Sequence, residues 1–235
     1  MVRIDIPWRF RSRILWLIGF ALLASAAAPA QSNPPSSSKV LPVDQAKRDP
    51  SFAAFRDRLK QIVKERNTAG LRAVLDANIS ISFGGENGAA AFRKQWQLDK
   101  APEQSPVWQT LESVLALGGA WTQNSHGVLA TFCAPYVYTQ MPEDDSDSPA
   151  LAAILGPNVP LRSAPKDNGG VIRRMSYSRV RLVEGEGEAR WRKVQTLDRI
   201  EGFVLASEVR SAGDYRACFD QRIGAWKMTF LVNGD

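Results

Sequence analysis

The chain has 235 residues, 44% of them hydrophobic and 23% charged, a balance that excludes a fully disordered polypeptide and leaves room for one large or two small domains. Its formal charge is +6, but Arg3, Arg9, Arg11 and Arg13 set against Asp5 carry three of those six charges at the extreme N-terminus; the remaining +3 is too slight for a nucleic-acid footprint. One histidine, His126, and two cysteines leave too few ligands for a zinc site.

Residues 1–30 read as an export signal. The four arginines form the basic start, Ile14 to Leu23 run almost wholly apolar, and Ala28-Pro29-Ala30 fits the small-residue cleavage rule, with Ala26 and Ala28 as alternative cleavage points. The apolar run falls short of the roughly 20 residues that span a bilayer, so no stable membrane anchor is expected after cleavage. Export predicts a periplasmic or secreted protein and an oxidising compartment. There the pair Cys133 and Cys218 reads as a disulfide, with two buried free thiols as the alternative. Residues 31–50, rich in Pro and Ser, are predicted to be a flexible linker.

Ordered structure is predicted from Ser51. Asp49-Pro50-Ser51 opens a helix with Phe52, Phe55, Leu59, Ile62 and Val63 on one stripe. A short helix carries Leu71, Val74 and Leu75, and a strand alternates Ile79, Ile81 and Phe83 with serines. The run Gly84-Gly85-Glu86-Asn87-Gly88 precedes a helix from Ala89 to Trp96. It lacks a nucleotide-loop signature and reads as a tight turn rather than a phosphate cradle. Pro106 starts a further helix that closes at Gly118-Gly119. A hairpin follows through Ala120–Gln123, a turn at Asn124–Gly127 and a strand from Val128 to Tyr138; Met141 to Ala150 is an acidic exposed loop.

Between Val159 and Val209, short runs of Val, Ile and Leu alternate with Gly, Asn, Asp and Pro, the pattern of a small barrel. Leu161-Arg162-Ser163-Ala164-Pro165 stands where a first strand N-V-R-x-G-P is expected. The Lys166–Gly170 turn, Val171-Ile172, the strand around Val180 and Leu182, Trp191 with Val194, and Gly202-Phe203-Val204 with Val209 follow in order. This order resembles the bacterial SH3-like (SH3b) domain over about a fifth of the chain, although Ala164, Ser178 and Arg190 replace frequent glycines. The resemblance implies a binding module at residues 156–210, with Tyr177, Trp191 and Phe203 as ligand-binding candidates. It points to a peptidoglycan stem peptide or an envelope-protein segment as partner. Arg179 and Arg181 alternate with Val180 and Leu182 and, with Arg162, Arg173 and Arg174, read as a solvated face rather than an anion-binding stripe.

Beyond the barrel, Tyr215–Phe219 and Trp226–Val232 read as a closing hairpin, too short to be stable alone. A bridge from Cys218 to Cys133 would seat it beside the strand at Val128–Tyr138. Gly224, Trp226 and Lys227 then fit the final strand of the cystatin-like, nuclear-transport-factor-2-like fold, which this order of helices and strands resembles. The expected fold is therefore α+β: helices on a curved antiparallel sheet (residues 51–140 plus 212–235) with an inserted SH3-like barrel. With one histidine and paired cysteines, no Cys-His machine can be assembled, and a triad through His126 would have to use a turn residue. A non-enzymatic binding protein without cofactor or metal is expected. The alternative is a small-molecule pocket or an assembly surface in the helical domain, and an enzyme pocket there would need carboxylates such as Glu86 and Glu112.

Overall fold

The computed structural model describes residues 38–123, 129–142, 150–183 and 190–234; the predicted export signal, the predicted turn around His126 and most of the predicted acidic loop lie outside the described residues. The chain begins with helix α1 (Pro50–Lys64), α2 (Thr68–Val74) and strand β1 (Leu75–Ser80). Next come α3 (Ala89–Gln95), α4 (Val107–Ala116), β2 (Ala120–Gln123), β3 (Leu129–Ala134) and the short α5 (Tyr136–Gln140). Helix α1 starts where the sequence predicts. The Asp49 carboxylate accepts the Ser51 and Phe52 backbone N–H groups at 2.8 and 3.0 Å, and Pro50 occupies a first-turn position that needs no N–H.

Two predicted strands shift. The strand placed at Ile79–Phe83 forms earlier, at Leu75–Ser80, because α2 ends at Val74 and the chain extends at once. The strand drawn from Val128 to Tyr138 stops at Ala134, because Pro135 has no N–H for a ladder and Tyr136–Gln140 coil into α5.

The apolar stripe of α1 packs on a sheet completed by the far end of the chain. Strands β11 (Arg216–Arg222) and β12 (Ala225–Val232) enter it to give the order β1-β12-β11-β3-β2. Phe52 sits at the centre of this core, its ring 4.4–5.9 Å from those of Phe55, Trp121, Phe132, Phe219 and Trp226. Aromatic pairs of this kind contribute about 0.5–1.5 kcal/mol each beyond the area they bury. The sheet is mixed, not wholly antiparallel as expected: β1 runs parallel to β12. No hairpin joins these two strands, so no turn dictates their direction.

Between β3 and β11 the chain builds a second sheet. Its strands are β4 (Leu151–Ile154), β5 (Val159–Arg162), β6 (Val171–Met175), β7 (Arg179–Leu182), β8 (Trp191–Thr196), β9 (Glu201–Leu205) and β10 (Val209–Ser211). They lie in the order β10-β4-β7-β8-β9-β5-β6 and curl around one core, in which Met175 of β6 and Val209 of β10 join Ile154, Leu161, Val180, Val194 and Val204. The expected closed barrel is not formed. Strand β7 takes β4 as its second neighbour, β10 adds beyond β4, and β6 is left as an open edge. The fold is thus α+β with two open sheets.

Residues 38–50, predicted to be part of a flexible linker, instead pack as a strap. Lys39 pairs with Ser178, Val40 and Ala46 are fully buried, and Gln45 accepts both the Trp121 backbone N–H and its indole Nε1–H. Val40 and Ala46 of the strap are buried, which the Pro- and Ser-rich composition of residues 31–50 as a whole does not reveal. Val40 joins Tyr136, Val137 and Ala153 in a small core between the two sheets, where burial pushes the Tyr136 phenol up to about 12. The strap passes so close to Gly118 that a Cβ there would meet the Val43 carbonyl at 2.7 Å, and Gly118 also holds a φ of +67°.

Cys133 and Cys218 stand directly opposite each other on β3 and β11 and form the predicted disulfide, with Cα atoms 4.1 Å apart. It closes a loop of 85 residues, for which the chain-entropy view gives about 4–5 kcal/mol. Replacing both cysteines by serine should lower the unfolding free energy by an amount of that order. Urea titrations of the variant and the parent will measure it. A second expectation concerns Asp49, whose carboxyl is held below its ordinary value first by the Ser51 hydroxyl and then by the Phe52 N–H. Its ionised form favours the folded state, so this contribution is complete above the ordinary value of 3.8 and is lost as pH falls through the lower folded-state value. Asp49→Asn, which still caps, should flatten that acid limb, whereas Asp49→Ala should cost about 1 kcal/mol at neutral pH; thermal melts from pH 2 to 7 test both.

Candidate functional site

Helices cover one face of the first sheet, and alternation along each strand sends the remaining side chains to the other. On β1 the outward positions are Asp76, Asn78 and Ser80; on β11 they are Arg216, Cys218, Asp220 and Arg222; on β3 they include Thr131. A register shift between Cys218 and Phe219 leaves Thr229 of β12 with no residue opposite. This bulge turns Thr229 and Phe230 to the same outer face, while Met228 and Leu231 stay in the core. In a regular strand Trp226, Met228, Phe230 and Val232 would share one face, and the bulge breaks that alternation.

These residues line an open trough of about 850 Å³, within the range of small-molecule and peptide sites. Asp220 lies at its centre. Thr131 Oγ1 donates to one carboxylate oxygen at 2.5 Å and Thr229 Oγ1 to the other at 2.6 Å. Arg222 reaches Asp220 at 3.5 Å and Asp76 at 3.7 Å, bridging two carboxylates that are each about four-fifths shielded from solvent. One wall is aromatic: the Arg216 guanidinium lies 4.9 Å from the Tyr138 ring centre, 5.4 Å from Phe83 and 5.9 Å from Phe230. The Cys133–Cys218 disulfide forms part of the floor, so the strands carrying Thr131 and Asp220 are covalently tied beside one another.

The trough ends at the β11–β12 hairpin, a two-residue turn through Ile223 and Gly224 with φ of +46° and +78°. Such a turn suits Asn-Gly; a β-branched residue at positive φ is strained, by about 1–2 kcal/mol. Ile223 is also fully exposed, so no burial offsets that cost.

The sequence-predicted ligand residues lie on the second sheet. Trp191 and Phe203 occupy the adjacent strands β8 and β9, where Trp191 pairs with Leu205 and Phe203 with Lys193; Trp191 is buried and Phe203 half-buried. Arg190 stacks over the Trp191 ring at 5.8 Å. Tyr177 is at the corner between β6 and β7, where its backbone carbonyl accepts the Val40 N–H of the strap. Among the described residues no ring contact links the three. Glu86 sits in the exposed Gly84–Gly88 turn with Lys94 near it, and Glu112 lies on α4, so neither reaches the trough. The aromatic cluster around Phe52 packs under the helices, and Glu112 lines a separate hollow of about 320 Å³ between α1 and α4, with Lys60, Val63, Lys64, Leu115 and Ala116. The sequence reading missed Asp76, Thr131, Asp220, Arg222 and Thr229. Alternating polar residues in Asp76–Ser80 and Arg216–Arg222 were the available signal, but which face they occupied depended on a partner strand distant in sequence.

Comparison with known proteins adds little. No protein-family model matches the chain, and no curated protein is similar to it. Among solved structures it is similar to a variant of Rd1NTF2_05, at 11% identity over 79% of this chain and all of that one, with a TM-score of 0.28, a likeness too slight to bear on function. The class defined here is therefore an α+β protein with two open sheets and a buried disulfide. That bond indicates an oxidising, extracytoplasmic environment. Among the described residues no helix is long and apolar enough to cross a membrane.

The strained hairpin gives a direct test of the geometry. Ile223→Asn should create the favoured Asn-Gly turn and raise stability by about 1 kcal/mol, read as an increased urea midpoint at unchanged slope.

Proposed function

We propose that this is an exported, non-enzymatic binding protein of the periplasm or cell exterior whose ligand is a short cell-wall peptide or an extended segment of an envelope protein. The observation that carries this reading is the trough on the outer face of the first sheet. It offers carboxylates at Asp76 and Asp220, a guanidinium at Arg222, amide and hydroxyl groups at Asn78 and Ser80, and an aromatic wall at Tyr138 and Phe230. A peptide carries the complementary set: ammonium, carboxylate, amide and apolar groups. Asp220 has both oxygens engaged by threonine hydroxyls, which fixes the carboxylate for recognition rather than aiming it at a reacting atom. Both cysteine sulfurs are committed to the disulfide, which supports a binder over a thiol enzyme. The basic start and apolar run of residues 1–30 support export, and the strand and helix order supports a cystatin-like reading of the first layer.

The placement differs from the one implied by the SH3-like resemblance, which would put recognition at Trp191 and Phe203. One experiment separates the two. The mature protein is mixed with purified sacculi and, in parallel, titrated with a soluble stem peptide. The parent should be retained, and Asp220→Asn combined with Arg222→Gln should weaken binding at least about tenfold, as loss of charge-assisted hydrogen bonds requires. Phe203→Ala should bind like the parent. Loss of binding in Phe203→Ala with retention in the trough variant would move the site to the second sheet. A parent protein that neither sediments with sacculi nor binds the peptide overturns the cell-wall reading.

A further inference from the structure

The trough on the first sheet is not uniform along its length. Strand β11 sets its axis, with Arg216, Cys218, Asp220 and Arg222 following one another on the outer face. At about 3.4 Å per residue, Arg216 and Asp220 stand roughly 14 Å apart along the strand. Charge gathers at the hairpin end, where Arg222 bridges Asp76 and Asp220. The opposite end is aromatic. There Ser80, Phe230, Cys218 and Cys133 form one row across the sheet, and the rings of Phe83, Tyr138 and Phe230 stand around the Arg216 guanidinium.

These three rings come from separate pieces of chain: the segment after β1, helix α5 and strand β12. Cation–π attraction to the shared guanidinium holds them in place. Phe83 also meets Phe230 edge-on, with centroids 6.1 Å apart and planes at 66°. The platform is fixed yet open, for Phe83 keeps 56% of its surface exposed and Tyr138 38%. The core lies on the other face of the sheet and does not account for these rings. Exposed aromatic surface beside a recess marks a contact site.

The openness of the platform decides what suits it. An aliphatic side chain gains most where apolar surface encloses it, and among the described residues nothing covers these rings. A pyranose ring has a different demand. It presents C–H bonds on a face and hydroxyls around its rim, so it lies flat on an aromatic ring while its edge is hydrogen-bonded. Groups for that edge are at hand: the Ser80 hydroxyl and the Asn78 amide follow each other along β1, and Tyr138 carries a phenol. Hydroxyls and amides both donate and accept, as sugar hydroxyls do.

We infer that the aromatic end of the trough is a subsite for a sugar ring covalently joined to the bound peptide. The inference rests on the reading of the trough as a peptide site. Of the ligands in that reading it selects a cell-wall peptide still attached to its glycan over a bare polypeptide segment. The peptide then runs along β11 with its charged groups at Asp220, Arg222 and Asp76, and the sugar lies on the aromatic platform.

Calorimetry on the mature protein compares two ligands of one sequence: a stem peptide with an acetylated N-terminus, and the same peptide carrying an N-acetylmuramoyl ring there. The ring should tighten binding at least about tenfold. Phe83→Ala should bring the ratio of the two affinities close to one, and Phe83→Tyr, which keeps an aromatic face, should preserve it. Phe83 is exposed, so an unchanged thermal midpoint checks that the variants fold. Equal affinity of the parent for the two ligands overturns the subsite and leaves the peptide reading standing. So does a ratio that persists in Phe83→Ala, or one lost equally in Phe83→Tyr. A folded Phe83→Ala that binds neither ligand assigns the platform to the peptide and overturns the subsite as well. A parent that binds neither ligand is a different result, which overturns the peptide reading itself and the subsite with it.

Discussion

The pairing of β3 with β11 is the contact on which the rest of the described fold depends. Cys133 and Cys218 are 85 residues apart in sequence yet stand opposite each other in the ladder, and the whole second sheet is strung between them. Without that pairing, β11 and β12 would be tied to the sheet only through the parallel contact of β12 with the short strand β1. The core beneath them would also lose Ala217, Phe219, Met228 and Leu231, which close it from the strand side. The disulfide and the ladder act on different states. The ladder and the packed rings stabilise the native sheet, while the covalent bond restricts the unfolded chain. Long-range strand pairing is entropically demanding, so a covalent tie at its centre is where the constraint has most effect.

The strap at residues 38–48 distributes this order over both sheets. Gln45 reads the backbone and indole of Trp121 at one end, and Lys39 extends the second sheet beside Ser178 at the other. Between them Val40 and Val43 lie against Tyr136, Val137 and Ala153. The second sheet is therefore held by its two chain connections and by a third crossing, so its orientation does not rest on the loops alone. Arg56, buried on α1, donates to Asp44 within the same strap at 2.5 Å, and the guanidinium helps hold the Asp44 carboxyl below its ordinary value against the opposing effect of burial. This couples the first helix to the strap.

Legibility followed the range of the forces involved. Helix α1 was readable because cap, proline and apolar stripe all lie within fifteen residues. The disulfide was readable because an even pair of cysteines, behind an N-terminal run that reads as an export signal, suffices to predict it. The mixed sheet was not, since the direction of β1 beside β12 is set by packing between segments about 150 residues apart. The barrel failed for a similar reason. Its internal strand order was visible between Val159 and Val209, but Leu151–Ile154 had no turn signal to mark it as the strand that would occupy the flank of β7. The strap was obscured by its neighbourhood: it follows a Pro- and Ser-rich run and carries scattered polar residues, yet Val40 is buried and Val43 half-buried. Tyr177, Trp191 and Phe203 were singled out as aromatic residues in family positions. Trp191 and Phe203 lie on the adjacent strands β8 and β9, and Tyr177 lies at the β6–β7 corner, where its backbone carbonyl accepts from the strap.

The trough shows how a local irregularity can build a site that periodicity conceals. With alternation carried on from Met228, which faces the core, Thr229 would lie outside and Phe230 would turn inward. The bulge keeps Phe230 on the outer face beside Thr229, so that the Thr229 hydroxyl meets Asp220 while Phe230 joins the aromatic wall beside Arg216. Asp220 then has a hydroxyl from each neighbouring strand, Thr131 on β3 and Thr229 on β12. A carboxylate half-sunk in a sheet surface needs such donors to offset its lost water. Because they come from both sides, its position is tied to the register of three strands at once. The disulfide that locks β3 to β11 constrains two of those three strands, so it helps to hold the same carboxylate in place.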